Sequence, residues 1–259
     1  MQNHTLKEFD NELDRLTEAI KTMSKTVESA SSDAVTALLN QDRQLATRAI
    51  GATGIVRTLH RRVDDQAIQM IVRRQPMAID LREIVGAFKT ARNLERIASL
   101  AENVAETATM IDSAPSEPCK YLQRVLGHTL TQLRATMTAY FSGDSQGAIA
   151  ALSSAREVDF VCAELAQALD TFTSSDSRNI VTGIQLALCA AALQGMSEYV
   201  SRIAETAYYV VEGCTPIEHR LAETVPLVVA APCAPQDVPN SSGFGERSDR
   251  PAFRDSAVI

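Results

Sequence analysis

Two stretches of this chain, about a hundred residues apart, follow one plan of three amphipathic helices, and no other feature narrows the fold as far. Phe9, Leu13, Leu16, Ile20, Met23 and Val27 are spaced by alternating fours and threes. At 3.6 residues per turn this lays them along one stripe of a helix. The stripe extends to about Leu39. Asp42, after Asn40 and Gln41, is a good N-cap for a second helix that buries Ala49, Thr53, Val56, Leu59, Val63, Ala67 and Met70. Pro76 lacks an N–H and clashes with a preceding turn, so the second helix should stop near Arg74 and a third should start with Pro76 near its first position. The third stripe is Leu81, Ile84, Val85, Phe88, Ala91, Leu94, Ala98, Ala101, Val104 and Ala108, ending where Asp112, Pro115 and Pro118 break it.

After Pro118 the plan recurs. Leu122, Leu126, Leu130, Leu133, Met137 and Phe141 mark a fourth helix. Leu152, Val158, Cys162, Leu165, Leu169 and Phe172 mark a fifth, and residues 180 to 211 a sixth. Ala37-Leu38-Leu39-Asn40-Gln41-Asp42 matches Ala139-Tyr140-Phe141-Ser142-Gly143-Asp144 at an offset of 102, and Val104-Ala105-Glu106 matches Ile203-Ala204-Glu205 at 99. Such a period is too long for a solenoid unit and fits two copies of a three-helix bundle. The expectation is an all-α protein of two pseudo-symmetric three-helix bundles, residues 1–112 and 118–213, with six long antiparallel helices. Gly213 reads as a helix C-cap. Six of the nine prolines lie from Pro216 to Pro251, so residues 214–259 read as a disordered tail, either a solvated extension or a docking segment.

Composition excludes several classes. A net charge of −7, no Trp and 5% aromatics leave neither a basic nucleic-acid surface nor a base-stacking platform. The five cysteines are odd in number, scattered and without C-x-x-C, which argues against a disulfide framework or zinc knuckle; Cys162 and Cys189 read as small core residues. No apolar run reaches the length of a membrane span and the N-terminus lacks a signal-peptide core, so a cytoplasmic location is expected. Gly143-Asp144-Ser145-Gln146-Gly147 satisfies G-x-S-x-G, but a nucleophile elbow needs a strand before the turn, and here a helix precedes it. No His has a Glu three residues before it, and no phosphate-cradling or dinucleotide fingerprint occurs. No catalytic constellation emerges.

The corner and the helix after it resemble the PhoU family of phosphate-signalling regulators, whose members typically carry R-Q-P-x-A-x-D-L-R, then L-E-R-I-G-D and N-I-A-E. The matches are Arg74, Gln75, Pro76, Ala78, Asp80, Leu81 and Arg82, then Leu94, Glu95, Arg96 and Ile97, then Asn103, Val104, Ala105 and Glu106. The resemblance implies a non-enzymatic adaptor, a homodimer, that contacts the ATPase subunit of a phosphate ABC transporter and a sensor histidine kinase. It would repress phosphate-starvation genes when phosphate is plentiful, with no nucleic-acid partner and membrane contact only through its partners. Arg74, Asp80, Arg82 and Glu95 are the candidate partner-binding residues. Asp80 could equally complement the positive end of the third helix, and the arginines could simply solubilise the corner.

The resemblance also implies a metal, iron or zinc, held by acids spaced i, i+4 on bundle helices. The residual ligands here are Glu95, Asp159 and Glu198. The other family positions hold Thr53, Arg57, Ser99, Ala155 and Gln194, so no required cofactor is expected. The bland alternative for Glu95, Glu102, Glu106, Glu198 and Glu205 is a solvated helix face. Two other functions stay open: a metal-binding bundle, and a helical scaffold that has diverged from phosphate control.

Overall fold

In a computed structural model, which describes residues 2–111 and 114–216 and side chains from Glu8 onward, the fold is all-α. Its helices are α1 (Gln2–Asn40), α2 (Arg43–Arg74), α3 (Ala78–Met110), α4 (Ser116–Ser142), α5 (Ser145–Ser175) and α6 (Ile180–Glu212), with a 3₁₀ turn at Ser177–Asn179. Among the described residues there is no strand. The reading of residues 217–259 as a disordered tail, and of Asp112 as a breaker, falls outside the described residues.

The internal repeat is visible bond by bond at the first turn of each half. Between α1 and α2, Gln41 takes a left-handed φ of 56° and the Asp42 N–H donates to Ala37 O at 3.1 Å. The Asp42 carboxylate then accepts from the Gln44 and Leu45 N–H groups at 2.8 and 3.1 Å. Between α4 and α5, Gly143 has φ 65°, the Asp144 N–H donates to Ala139 O at 3.0 Å, and Asp144 Oδ1 accepts from the Gly147 N–H at 2.9 Å. Each aspartate satisfies donors that the first turn of a helix leaves without partners. Ser145 therefore begins a helix that follows another helix, and the G-x-S-x-G string is a connector.

Within each half the three helices pack pairwise, and α3 on α6 and α1 on α4 join the halves. One apolar cluster draws on all six helices, with Leu16, Ile20, Met70, Ile84, Leu94, Leu122, Leu165, Leu186 and Ile203 buried in it. Each such side chain contributes roughly 1.5–3 kcal/mol of burial. The α3–α6 seam is close: a Cβ on Gly86 would stand 2.5 Å from Val210 Cγ2. Glycine at position 86 is what permits the approach.

Four expectations need correction. Pro76 is not at the start of α3, because Gln75 stops α2 in a left-handed conformation (φ 48°) and extended Met77 is the N-cap, which leaves the proline in the link. Pro118 does not precede α4 but sits in its first turn, where its missing N–H costs no helical bond. Leu81, Phe88 and Phe141 are more than a third exposed. On α3 the buried register passes through Ala87 and Ala91, since close approach of α6 at Gly86 favours small side chains. Finally, α6 contains a stretch long and apolar enough to cross a membrane by length and composition alone. Here it packs against α3, α4 and α5, while Ile180, Val181, Ile184 and Leu188 near its start remain exposed.

Candidate functional site at the corner and the two acidic faces

The α2–α3 corner is held from one side and open on the other. Arg74, in the last turn of α2, reaches across to α1, its Nη2 donating to Glu8 Oε2 at 2.9 Å and its Nε to Glu12 Oε2 at 3.4 Å. It thus fixes the corner and is not a loose solubilising charge. Arg82 is also drawn inward. Its Nε is buried without a hydrogen-bond partner among the described residues, and its guanidinium lies so close to Gly213 that a Cβ there would collide with it. Asp80 lies in the first turn of α3, where a carboxylate complements the helix dipole. The open side is apolar: Val72 is 71% exposed and Met77 80%, with Ile79 half exposed beside them. These residues lie off the helical stripes. That is the signal by which the sequence could have marked them, since large apolar side chains outside a core register have nothing within the chain to pack on.

Next to the corner, α1, α3, α4 and α6 enclose an open cleft of about 700 Å³ lined by Asp14, Ile79, Glu83, Tyr140 and Val210 among others. Burial pushes the Tyr140 phenol up to about 12, from an ordinary value that already leaves it protonated at neutral pH.

The acidic face of the first half lies between α2 and α3. Arg57 Nη2 donates to Glu102 Oε2 at 2.9 Å, and its Nε stands 3.5 Å from Glu95 Oε1. Ser99 Oγ donates to the same Glu95 oxygen at 3.3 Å, and Thr53 Oγ1 to Ala98 O at 3.3 Å. The Glu95 and Glu102 side chains are only 17% and 19% exposed, so these two are paired and half-buried, not solvated. Glu106, Glu198 and Glu205 are exposed. The counterpart in the second half is a cleft of about 310 Å³ bordered by Ala155, Asp159, Gln194, Glu198, Arg202 and Glu205. There Gln194 Nε2 donates to Asp159 Oδ1 at 3.1 Å. Beneath lies a polar floor absent from the first half: buried Gln132 accepts from Ser197 Oγ at 2.6 Å and donates to Ser201 Oγ at 3.0 Å.

Neither face offers the donor set that a multi-carboxylate cation site needs. In the first, a guanidinium stands where a cation would bridge the acids. In the second, an amide N–H₂ is turned on Asp159. Among the described residues no three Asp, Glu, His or Cys side chains converge on one point.

Three comparisons bear on this arrangement. The sequence model of the PhoU domain matches residues 20–108. The "Phosphate-specific transport system accessory protein PhoU homolog" of Rhizobium meliloti is 33% identical over 82% of this chain and 91% of its own length. The "Phosphate-specific transport system accessory protein PhoU" of Escherichia coli K12 is 30% identical over 82% of this chain and 89% of its own. Among solved structures, PhoU from Pseudomonas aeruginosa superposes with a TM-score of 0.76 at 24% identity, covering 80% of this chain and all of that one. The phosphate transport system regulatory protein PhoU from Streptococcus pneumoniae gives 0.73 at 19% identity, over 80% of this chain and 98% of its own. At those identities the structural likeness speaks for the fold.

Proposed function

The chain belongs to the PhoU family, and from that premise we propose that it is a regulator of phosphate uptake and signalling, a cytoplasmic adaptor between the ATPase subunit of a phosphate ABC transporter and a sensor histidine kinase. It works without chemistry of its own, as a homodimer, and represses the phosphate-starvation response when phosphate is plentiful. The observation that carries the reading is the match, at 33% identity over 91% of its length, to a phosphate-specific transport accessory protein. The α2–α3 corner supports it. Arg74 pins the corner to α1, Asp80 and Arg82 flank the start of α3, and exposed Val72, Met77 and Ile79 supply apolar surface such as an adaptor presents to partners. Glu95 enters as support for the helix behind the corner, since Arg57 already holds it.

The test is genetic and biochemical. Deleting the gene should derepress phosphate-starvation genes in high phosphate, and the full-length protein should retain the transporter ATPase and the kinase sensor domain in a pull-down. Met77→Asp should abolish that capture while leaving the helical circular dichroism spectrum unchanged. Unaltered gene expression in the deletion strain would favour the divergent scaffold instead.

A further inference from the structure

We propose that the Arg57 guanidinium is a resident cation of the first bundle, built into the chain at the place where a bound metal would otherwise bridge α2 and α3, and that this face is thereby closed to divalent ions. The inference concerns the chain's own residues and is independent of the adaptor reading.

The geometry is that of a bridge. One nitrogen reaches Glu102 at 2.9 Å and another approaches Glu95 at 3.5 Å, so a single planar group spans two carboxylates seven residues apart on α3. Positions i and i+7 lie on one helix face two turns apart. Two half-buried carboxylates on that face repel each other unless a positive charge stands between them. Arginine suits the place better than lysine, because its fork presents several donors in a fixed plane and can serve both acids at once. Ser99 completes the site, since its hydroxyl occupies Glu95 Oε1 from the side where a second carboxylate would be needed for a metal. A divalent ion would have to displace Arg57 and accept a site with two acids and two hydroxyls, a weak set for any transition metal. The second bundle has no such bridge: its Asp159 is met by the neutral amide of Gln194, and among the described residues no cation stands within ion-pair distance of Glu198 or Glu205.

The full-length protein and four variants, Arg57→Gln, Arg57→Lys, Glu95→Gln and Arg57→Gln/Glu95→Gln, test this by thermal unfolding with and without excess Mn²⁺, and by metal content after dialysis. The unmodified chain should melt at the same temperature with and without chelator. Arg57→Gln should melt lower by about 3 °C, the scale expected for one lost, partly exposed ion-pair bridge in a protein of this size. Mn²⁺ in large excess, no longer barred by the resident charge, should restore part of that loss. Arg57→Lys should fall between, and the double variant should both regain stability and ignore the metal. Two results would overturn the proposal: a Mn²⁺-induced rise in the unmodified protein that Glu95→Gln abolishes, or an Arg57→Gln variant that neither melts lower nor responds to Mn²⁺.

Discussion

The acidic faces of the two bundles occupy matching places in the repeat and hold their carboxylates in different ways. The first uses a full charge, with Arg57 spanning Glu95 and Glu102. The second uses hydrogen bonds alone, an amide on Asp159 above a buried Gln132–Ser197–Ser201 network. The turns that carry these faces are alike to within 0.1 Å in the Asp42 and Asp144 backbone bonds. After duplication, the scaffold is held by caps and core, while outward faces can exchange a salt bridge for an amide because partly exposed pairs contribute little to stability. A related contrast holds at the second turn of each half. The α2–α3 corner places Gln75 and Ala78 at positive φ, whereas among the described residues the α5–α6 link has no positive φ and passes through a 3₁₀ turn. The first corner is therefore the strained one.

The largest expected effect addresses whether the halves behave as one body. Gly86→Leu forces a side chain into Val210 across the α3–α6 seam and should cost at least about 2 kcal/mol. Calorimetry should show a single transition moved to lower temperature; two resolved transitions would mean that the bundles unfold separately and that the comparison is between two domains. Next are the matched caps. Asp42→Ala and Asp144→Ala should each lose about 1 kcal/mol, and urea midpoints that differ widely between the two would break the equivalence of the turns. Ala78→Gly removes a left-handed alanine and should add roughly 0.5–1 kcal/mol, while the same exchange at Ala148, inside a helix with ordinary geometry, should subtract a similar amount. If Ala78→Gly leaves the midpoint unmoved, the corner stores no strain. The smallest effect is at the second face. Gln194→Glu sets two carboxylates against each other and should lose a few tenths of a kcal/mol, recovered in excess Mn²⁺; a protein indifferent to both changes would show that this cleft is too open to couple its charges.

Much of this could be read from the sequence because periodicity and capping are local properties. The α1 stripe from Leu16 to Val27, the Asp42 cap, the Gly213 stop and the offset linking Asp42 to Asp144 depend only on residues close together in the chain. What was not legible depends on how near two helices come. Nothing along α3 says that Phe88 yields its place to Ala87, since that follows from the closeness of α6 at Gly86. Likewise, the family resemblance puts Arg57 among the lost ligand positions, but its grip on Glu102 and Glu95, 45 and 38 residues further on, is a matter of helix register across a seam. The inward turn of Arg82 belongs to the same class, because its neighbour Gly213 is 131 residues away.

That last contact bears on how the protein should be handled. Gly213 is where the chain leaves α6, and it leaves against the Arg82 guanidinium at the start of α3. A reporter or affinity handle joined just after residue 216 would be tethered beside residues 75–82, the surface a binding assay needs bare. The start of α1 is no refuge, since Glu8 there pairs with Arg74 of the same corner, so a handle at either end needs a spacer long enough to carry it clear.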